Sequence, residues 1–216
     1  MHGPISAADL RETVVQAFDP VLSAAGYEHV VDLKWVRSGE PWIRHVIEAY
    51  GGRRGVRAVR WGISLDFVPH VTGASVRWHR TARSARIDLG YDPESFRDEW
   101  DFTAQAWTIS PDLGVPTPGE RARSIAAAFD RAAFPWLDAI RDLPTLADAF
   151  QREESRRGGL FEFDNYIQHR LAYAFTLARL GQQERAEVQL ERWLSMGRVG
   201  SEVEATLVKL LRCTEG

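Results

Sequence analysis

Cysteine is almost missing from this chain: Cys213, close to the C-terminus, is the single example. No intrachain disulfide framework and no thiolate metal cluster can be built from one thiol. Lysine is nearly missing too, since Lys34 and Lys209 are the only two among 27 basic residues. That skew toward arginine is the mark of codon bias more than of binding. Each arginine still carries a planar fork able to grip a carboxylate or phosphate in two places. No apolar run approaches the roughly 20 residues needed to cross a bilayer. Residues Met1 to Ala8 have neither a basic n-region nor an apolar h-region, so no secretory signal is expected. A formal net charge of −3 supplies no global attraction to nucleic acid or to an anionic membrane. Cytoplasmic residence follows as the expectation, with no membrane partner.

Reactive arrangements are equally scarce. The sequence holds no G-x-S-x-G elbow, no H-E-x-x-H helix and no G-x-x-x-x-G-K-[ST] loop. The six histidines are scattered, without a spacing that forces two onto one metal. No metal, no cofactor and no catalytic residue is therefore predicted.

What is present is an ordinary globular composition, 44% hydrophobic and 26% charged, enriched in eight Trp and ten Phe. One domain over residues 1–216 is expected, with sheet up to about 92 and helix beyond. Leu10, Val14, Phe18, Val21 and Ala25 recur at steps of three and four, predicting a first helix capped by Ser6 and stopped by Gly26. Pro20 is expected to kink or split it. The period then changes to two. Val31, Leu33 and Trp35 form one strand, Trp42 to Tyr50 a second, and a glycine-rich loop at Gly51–Gly55 leads into a third. That third strand alternates Val59, Trp61, Ile63, Leu65 and Phe67. Val76 with Trp78, and Ile87 with Leu89, supply two more. The prediction is an α+β fold with an antiparallel meander of about five strands, flanked by helices. After Pro93 only helix is expected: 93–107, 120–133, shorter pieces around Pro135 and Pro144, then 165–212 broken at Gly181 and Gly197–Gly200.

The order helix, aromatic strand, hairpin, "WGISLDFVP" and "ARIDLGYDP", with "FPWLDAIRDLPTLADAF" after it, resembles an uncharacterised bacterial domain-of-unknown-function family (4304-like). The resemblance covers about residues 8 to 150 and implies an α+β fold without an assigned activity. Proteins of this style include immunity or interaction partners in toxin systems. The stretch "LAYAFTLARLGQQERAEVQLERWL" is similar to one tetratricopeptide repeat. Ala174 and Leu177 precede a turn at Gly181, and Ala186, Leu190 and Trp193 follow it. One repeat cannot bury its own face, so this hairpin is expected to pack on the rest of the domain.

Charge supplies the one functional asymmetry. Between Lys34 and Arg86 there are eleven basic residues against Glu40, Glu48 and Asp66. Strand parity sets Arg60, Arg77, His79 and Arg86 opposite Trp61, Val76, Trp78 and Ile87, and Arg44 joins them if its strand pairs through the Gly51–Gly55 loop. These five residues form the candidate binding face. Its expected partner is an acidic protein, because the tryptophans that nucleic acid would stack on are read as pointing inward. Carboxylates from Asp88 to Asp101 could instead neutralise the face. The leading function is a non-enzymatic bacterial interaction module, immunity-like, using this face or the helical hairpin. The alternative is a small enzyme whose site is assembled from residues distant in sequence. Oligomeric state is left open.

Overall fold

A computed structural model describes residues 5–51, 57–91, 107–111, 116–157, 167–197 and 199–214. Helix α1 (Ala7–Ala24) begins where expected: the Ser6 hydroxyl accepts from the Asp9 N–H at 3.1 Å and donates to its carboxylate at 2.7 Å. The helix runs unbroken through Pro20. Proline there removes one amide donor, but Pro20 is exposed, so the carbonyl left over one turn earlier can turn to water. Among the described residues eight strands follow: β1 (Glu28–Val31), β2 (Lys34–Ser38), β3 (Ile43–Gly51), β4 (Arg57–Leu65), β5 (Pro69–Thr72), β6 (Ser75–Trp78), β7 (Leu89–Tyr91) and β8 (Thr108–Ile109). The other helices among the described residues are α2 (Pro118–Ala126), α3 (Ala133–Asp138), α4 (Leu143–Arg157), α5 (His169–Arg179), α6 (Gln183–Leu194) and α7 (Ser201–Arg212). No helix among the described residues is long and apolar enough to cross a membrane.

The fold is α+β as expected, with an antiparallel sheet and a helical C-terminal half. The sheet runs β1-β2-β3-β4-β7, and β8 pairs with β4. Three details differ from expectation. Val31, Leu33 and Trp35 do not share a strand, because the chain turns between β1 and β2 at Asp32, whose φ of 46° is left-handed. Aspartate tolerates that region better than most residues, but no glycine announces it. The two-residue strand β8 lies beyond Pro93, where only helix was expected. Most consequentially, β5 and β6 form a separate two-stranded sheet, so Val76 and Trp78 are not part of the meander. The expected helix over 93–107 lies outside the described residues apart from Trp107, which sits in a turn before β8.

The chain gathers into two compact units that it enters repeatedly, residues 1–38, 44–62 and 91–137 in one, and 39–43, 63–90 and 138–216 in the other. Aromatic rings build the first. Phe18 lies 5.4 Å from Trp35 and 5.0 Å from Phe129, while Trp107 meets both Trp61 and Phe129. The indole N–H of Trp35 donates to Asp19 at 2.6 Å, which satisfies a polar atom that burial would otherwise strand. In the second unit α5 is buried on every side, with α4, α6 and α7 packed against it. Ala174, Leu177, Ala186, Leu190 and Trp193 are all buried. Gly181 makes the turn between α5 and α6 with φ 72°, and adding a Cβ there would be strained although the space is open. A buried polar cluster crosses these helices: Arg170 donates to Glu154 at 2.8 Å and to Gln189.

Candidate functional site

The five residues of the predicted basic face fall into the two units, Arg44 and Arg60 in the first and Arg77, His79 and Arg86 in the second.

In the first unit the arginines are not an open surface. Lys34 stands opposite Glu48 in the β2–β3 register, and Arg60 reaches the same carboxylate from β4 with Nη2 at 2.5 Å and Nε at 2.6 Å. The Arg60 guanidinium also lies over the Tyr50 ring, 4.3 Å from its centre. With 16% of its side chain exposed, Arg60 is spent on internal contacts. One carboxylate flanked by two cations across three strands is a structural pair, and parity alone cannot reveal it. Arg44 is half-buried, and burial pulls its pKa down. His45 is buried beside it, with Arg37 Nη2 2.7 Å from its Nδ1.

In the second unit the register of the β5–β6 hairpin decides which side chains share a face. Pro69 pairs with Trp78, His70 with Arg77, Val71 with Val76 and Thr72 with Ser75. Facing residues in a pair point the same way, and neighbours along a strand point opposite ways. One face therefore carries Pro69, Val71, Val76 and Trp78, and the other carries His70, Arg77 and, two residues on, His79. The His70 and His79 rings meet edge to face, 5.3 Å between centres. His70 is buried, and its pKa is driven down to about 3 by that burial, then by the charges of Arg86 and His79. It is a neutral ring at ordinary pH. Nothing in the scattered histidines of the sequence marks it, and only the hairpin register brings it to Arg77.

Trp78 overturns the expectation that the tryptophans point inward. It is 36% exposed, among the most open of the described large hydrophobics together with Val31 and Val188. The reason is topological: β6 is the outer strand of a two-stranded sheet, so its side chains lack a neighbouring strand to cover them. The Arg80 guanidinium stacks over the indole at 4.2 Å. Arg77, Arg80 and Arg83 are all exposed, and from Phe67 to Ile87 four arginines meet no carboxylate in sequence. Arg77 and Arg83 make no ion pair with any described residue.

Asp88 begins the acidic stretch expected to neutralise this surface, and it does something else. Its carboxylate is buried and accepts from the Leu65 N–H at 2.7 Å. Burial pushes its pKa up to about 8, against the smaller opposing pull of the Leu65 hydrogen bond and Arg86. Near neutrality it is mostly protonated and brings little negative charge to the arginines. Asp92, Glu94, Asp98, Glu99 and Asp101 lie outside the described residues.

Grooves occur elsewhere, shallow and open, one along α4 beside Gln151, Arg152 and Ser155 and one along α7 beside Ala205, Val208 and Arg212. No three of His, Cys, Asp and Glu converge as metal ligands among the described residues. No family model, no curated protein and no solved structure matches this chain.

Proposed function

We propose that this protein is a non-enzymatic cytoplasmic interaction module that binds an acidic surface of another protein through the ridge Arg77–Trp78–Arg80–Arg83. The observation that carries the reading is the exposure of three arginines around an exposed tryptophan, in a stretch with no carboxylate. Tryptophan and arginine are among the residue types that dominate binding hot spots, tryptophan through the large area of a stiff ring and arginine through its stem and five-donor planar fork. A protein partner is favoured over nucleic acid because the ridge offers a single tryptophan, already stacked by Arg80, and not the row of accessible rings on which successive bases stack. An immunity-like role, masking an acidic patch on a toxin, is the form of this reading that the family resemblance suggests. The small-enzyme reading is less well supported. His70 and Asp88 are the most perturbed titratable groups of the second unit, yet they are 5% and 7% exposed, so neither is offered to a substrate.

Binding of poly-L-glutamate by fluorescence anisotropy tests the reading. The wild-type protein should bind it and lose affinity steeply as salt rises from about 0.05 to 0.2 M, because exposed charges are screened over about 10 Å. Arg77→Glu with Arg83→Glu should weaken binding at least about tenfold. Unchanged affinity in that double variant, or tighter binding of duplex DNA than of polyglutamate, contradicts the proposal.

A further inference from the structure

A two-stranded sheet has two edges, and this one closes only one of them. The side-chain amide of Gln168 lies along β5 as a surrogate strand. Its Oε1 accepts from the Val71 N–H at 3.0 Å, and its Nε2 donates to the Val71 carbonyl at 2.7 Å. Those two bonds fix the geometry of the other edge. Val71 directs its amide and carbonyl away from β6, so Val71 and Val76 are a non-hydrogen-bonded pair of the antiparallel ladder. Val76 must then direct its own amide and carbonyl away from β5, and by alternation Trp78 does the same. Neither Val76 nor Trp78 has a main-chain partner among the described residues. The tight turn that sets this register is Gly73-Ala74, with Gly73 at φ 58° and Ala74 outside the positive region, the pattern of a II′ hairpin.

We propose that the open edge of β6 takes an extended acidic peptide as a third strand, pairing with the main chain of Val76 and Trp78. The inference rests on the acidic-partner reading above and specifies how that partner binds. Two observations choose the occupant. An added strand continues both faces of the hairpin, so alternate residues of the peptide fall beside Arg77 on one face and beside Val76 and Trp78 on the other. Acidic residues suit the first face and apolar ones the second. A second copy of β6 is a poor occupant, because edge-to-edge pairing brings arginine against arginine, a common way for edges to avoid self-association. The peptide class is therefore a short strand of alternating acidic and apolar residues.

The probe is acetyl-Glu-Val-Glu-Leu-Glu-Val-Glu-amide, compared with a peptide of the same composition in which the glutamates form one block. Two further versions carry backbone N-methyl groups, one on the glutamates and one on the apolar residues. In an extended strand these two sets of amides face opposite edges, and only one edge can pair with β6. One N-methylated version should therefore lose affinity about tenfold or more, the worth of one or two hydrogen bonds, while the other stays close to the parent. The blocked peptide should bind more weakly than the alternating one. Val76→Pro should weaken the parent peptide to a similar degree, since proline removes an outward amide that the hairpin itself does not use. If that variant unfolds, the N-methyl pair decides alone. Equal affinity of the two N-methylated versions overturns the strand-addition mode while leaving the acidic-partner reading intact. Failure of the alternating peptide to bind while polyglutamate binds does the same. Failure of polyglutamate itself overturns the reading on which the mode rests.

Discussion

Asp88→Asn is expected to unmask a pH dependence that the wild-type protein conceals. The Asp88 pKa is raised from 3.8 to about 8 on folding and the His70 pKa is lowered from 6.5 to about 3. Between pH 4 and 8 the folded chain therefore holds a proton on Asp88 that the unfolded chain has released, so Asp88 makes stability fall as pH rises. Between pH 3 and 6.5 the unfolded chain holds a proton on His70 that the folded chain lacks, so His70 makes stability fall as pH drops. From about pH 4 to 6.5 the two slopes cancel. Above that window Asp88 acts alone and should cost about 2 kcal/mol by pH 8, at ~1.4 kcal/mol per unit. Asparagine preserves an acceptor for the Leu65 N–H and cannot ionise. The stability of Asp88→Asn relative to the parent should therefore climb steadily from pH 4 to 8. His70→Gln should show its relative advantage at acid pH and lose it by pH 6.5. Urea titrations across that range measure both. Parallel profiles for the two variants and the parent would show that neither group is perturbed.

The second large effect concerns an arginine that parity places on the surface. Arg60→Glu should destabilise the protein by about 3–5 kcal/mol, because it sets a second carboxylate beside Glu48 in a mostly buried site and removes the cation over Tyr50. Arg77→Glu, the same substitution on the exposed ridge, should shift stability by less than about 0.5 kcal/mol. Thermal melts of the two variants side by side are enough. A similar small loss in both would mean that the Lys34–Glu48–Arg60 cluster contributes nothing.

Much of the fold was legible wherever one periodicity ran long enough to dominate. The first helix with its Ser6 cap, the strand through Trp61 and Ile63, and the α5–α6 hairpin around Gly181 all announce themselves by spacing and by a terminal glycine or hydroxyl. The failures share a cause. Parity gives the face of a strand but not the sheet to which the strand belongs. Val76 and Trp78 alternate correctly, yet among the described residues β6 pairs only with β5, so Val76 is half-covered and Trp78 stands exposed while Pro69 and Val71 on the same face are buried. Parity also cannot say which charges meet, and so Arg60 read as surface when its neighbours in the sheet had already engaged it. The turn at Asp32 was invisible because aspartate took a conformation that glycine usually marks. Of the five candidate residues, Arg77, His79 and Arg86 fall in one compact unit and Arg44 and Arg60 in the other, a division that strand parity does not show. The exposure of Trp78 beside Arg77 and Arg80, and the buried His70 opposite Arg77, depend on the hairpin register and could not be read before it.

A partner is expected to bind along β6 and the residues after it. The direct measurement is a nitrogen-edited NMR titration with the alternating acidic peptide, following backbone amides and indole N–H signals together. The expected result is that the amides of Val76, Arg77 and Trp78 and the Trp78 indole move first and saturate together, at low salt, while the amides of α7 stay still. Shifts concentrated on the α7 groove around Ala205 and Val208, with β6 unmoved, would contradict the account and transfer the binding surface to the helical half.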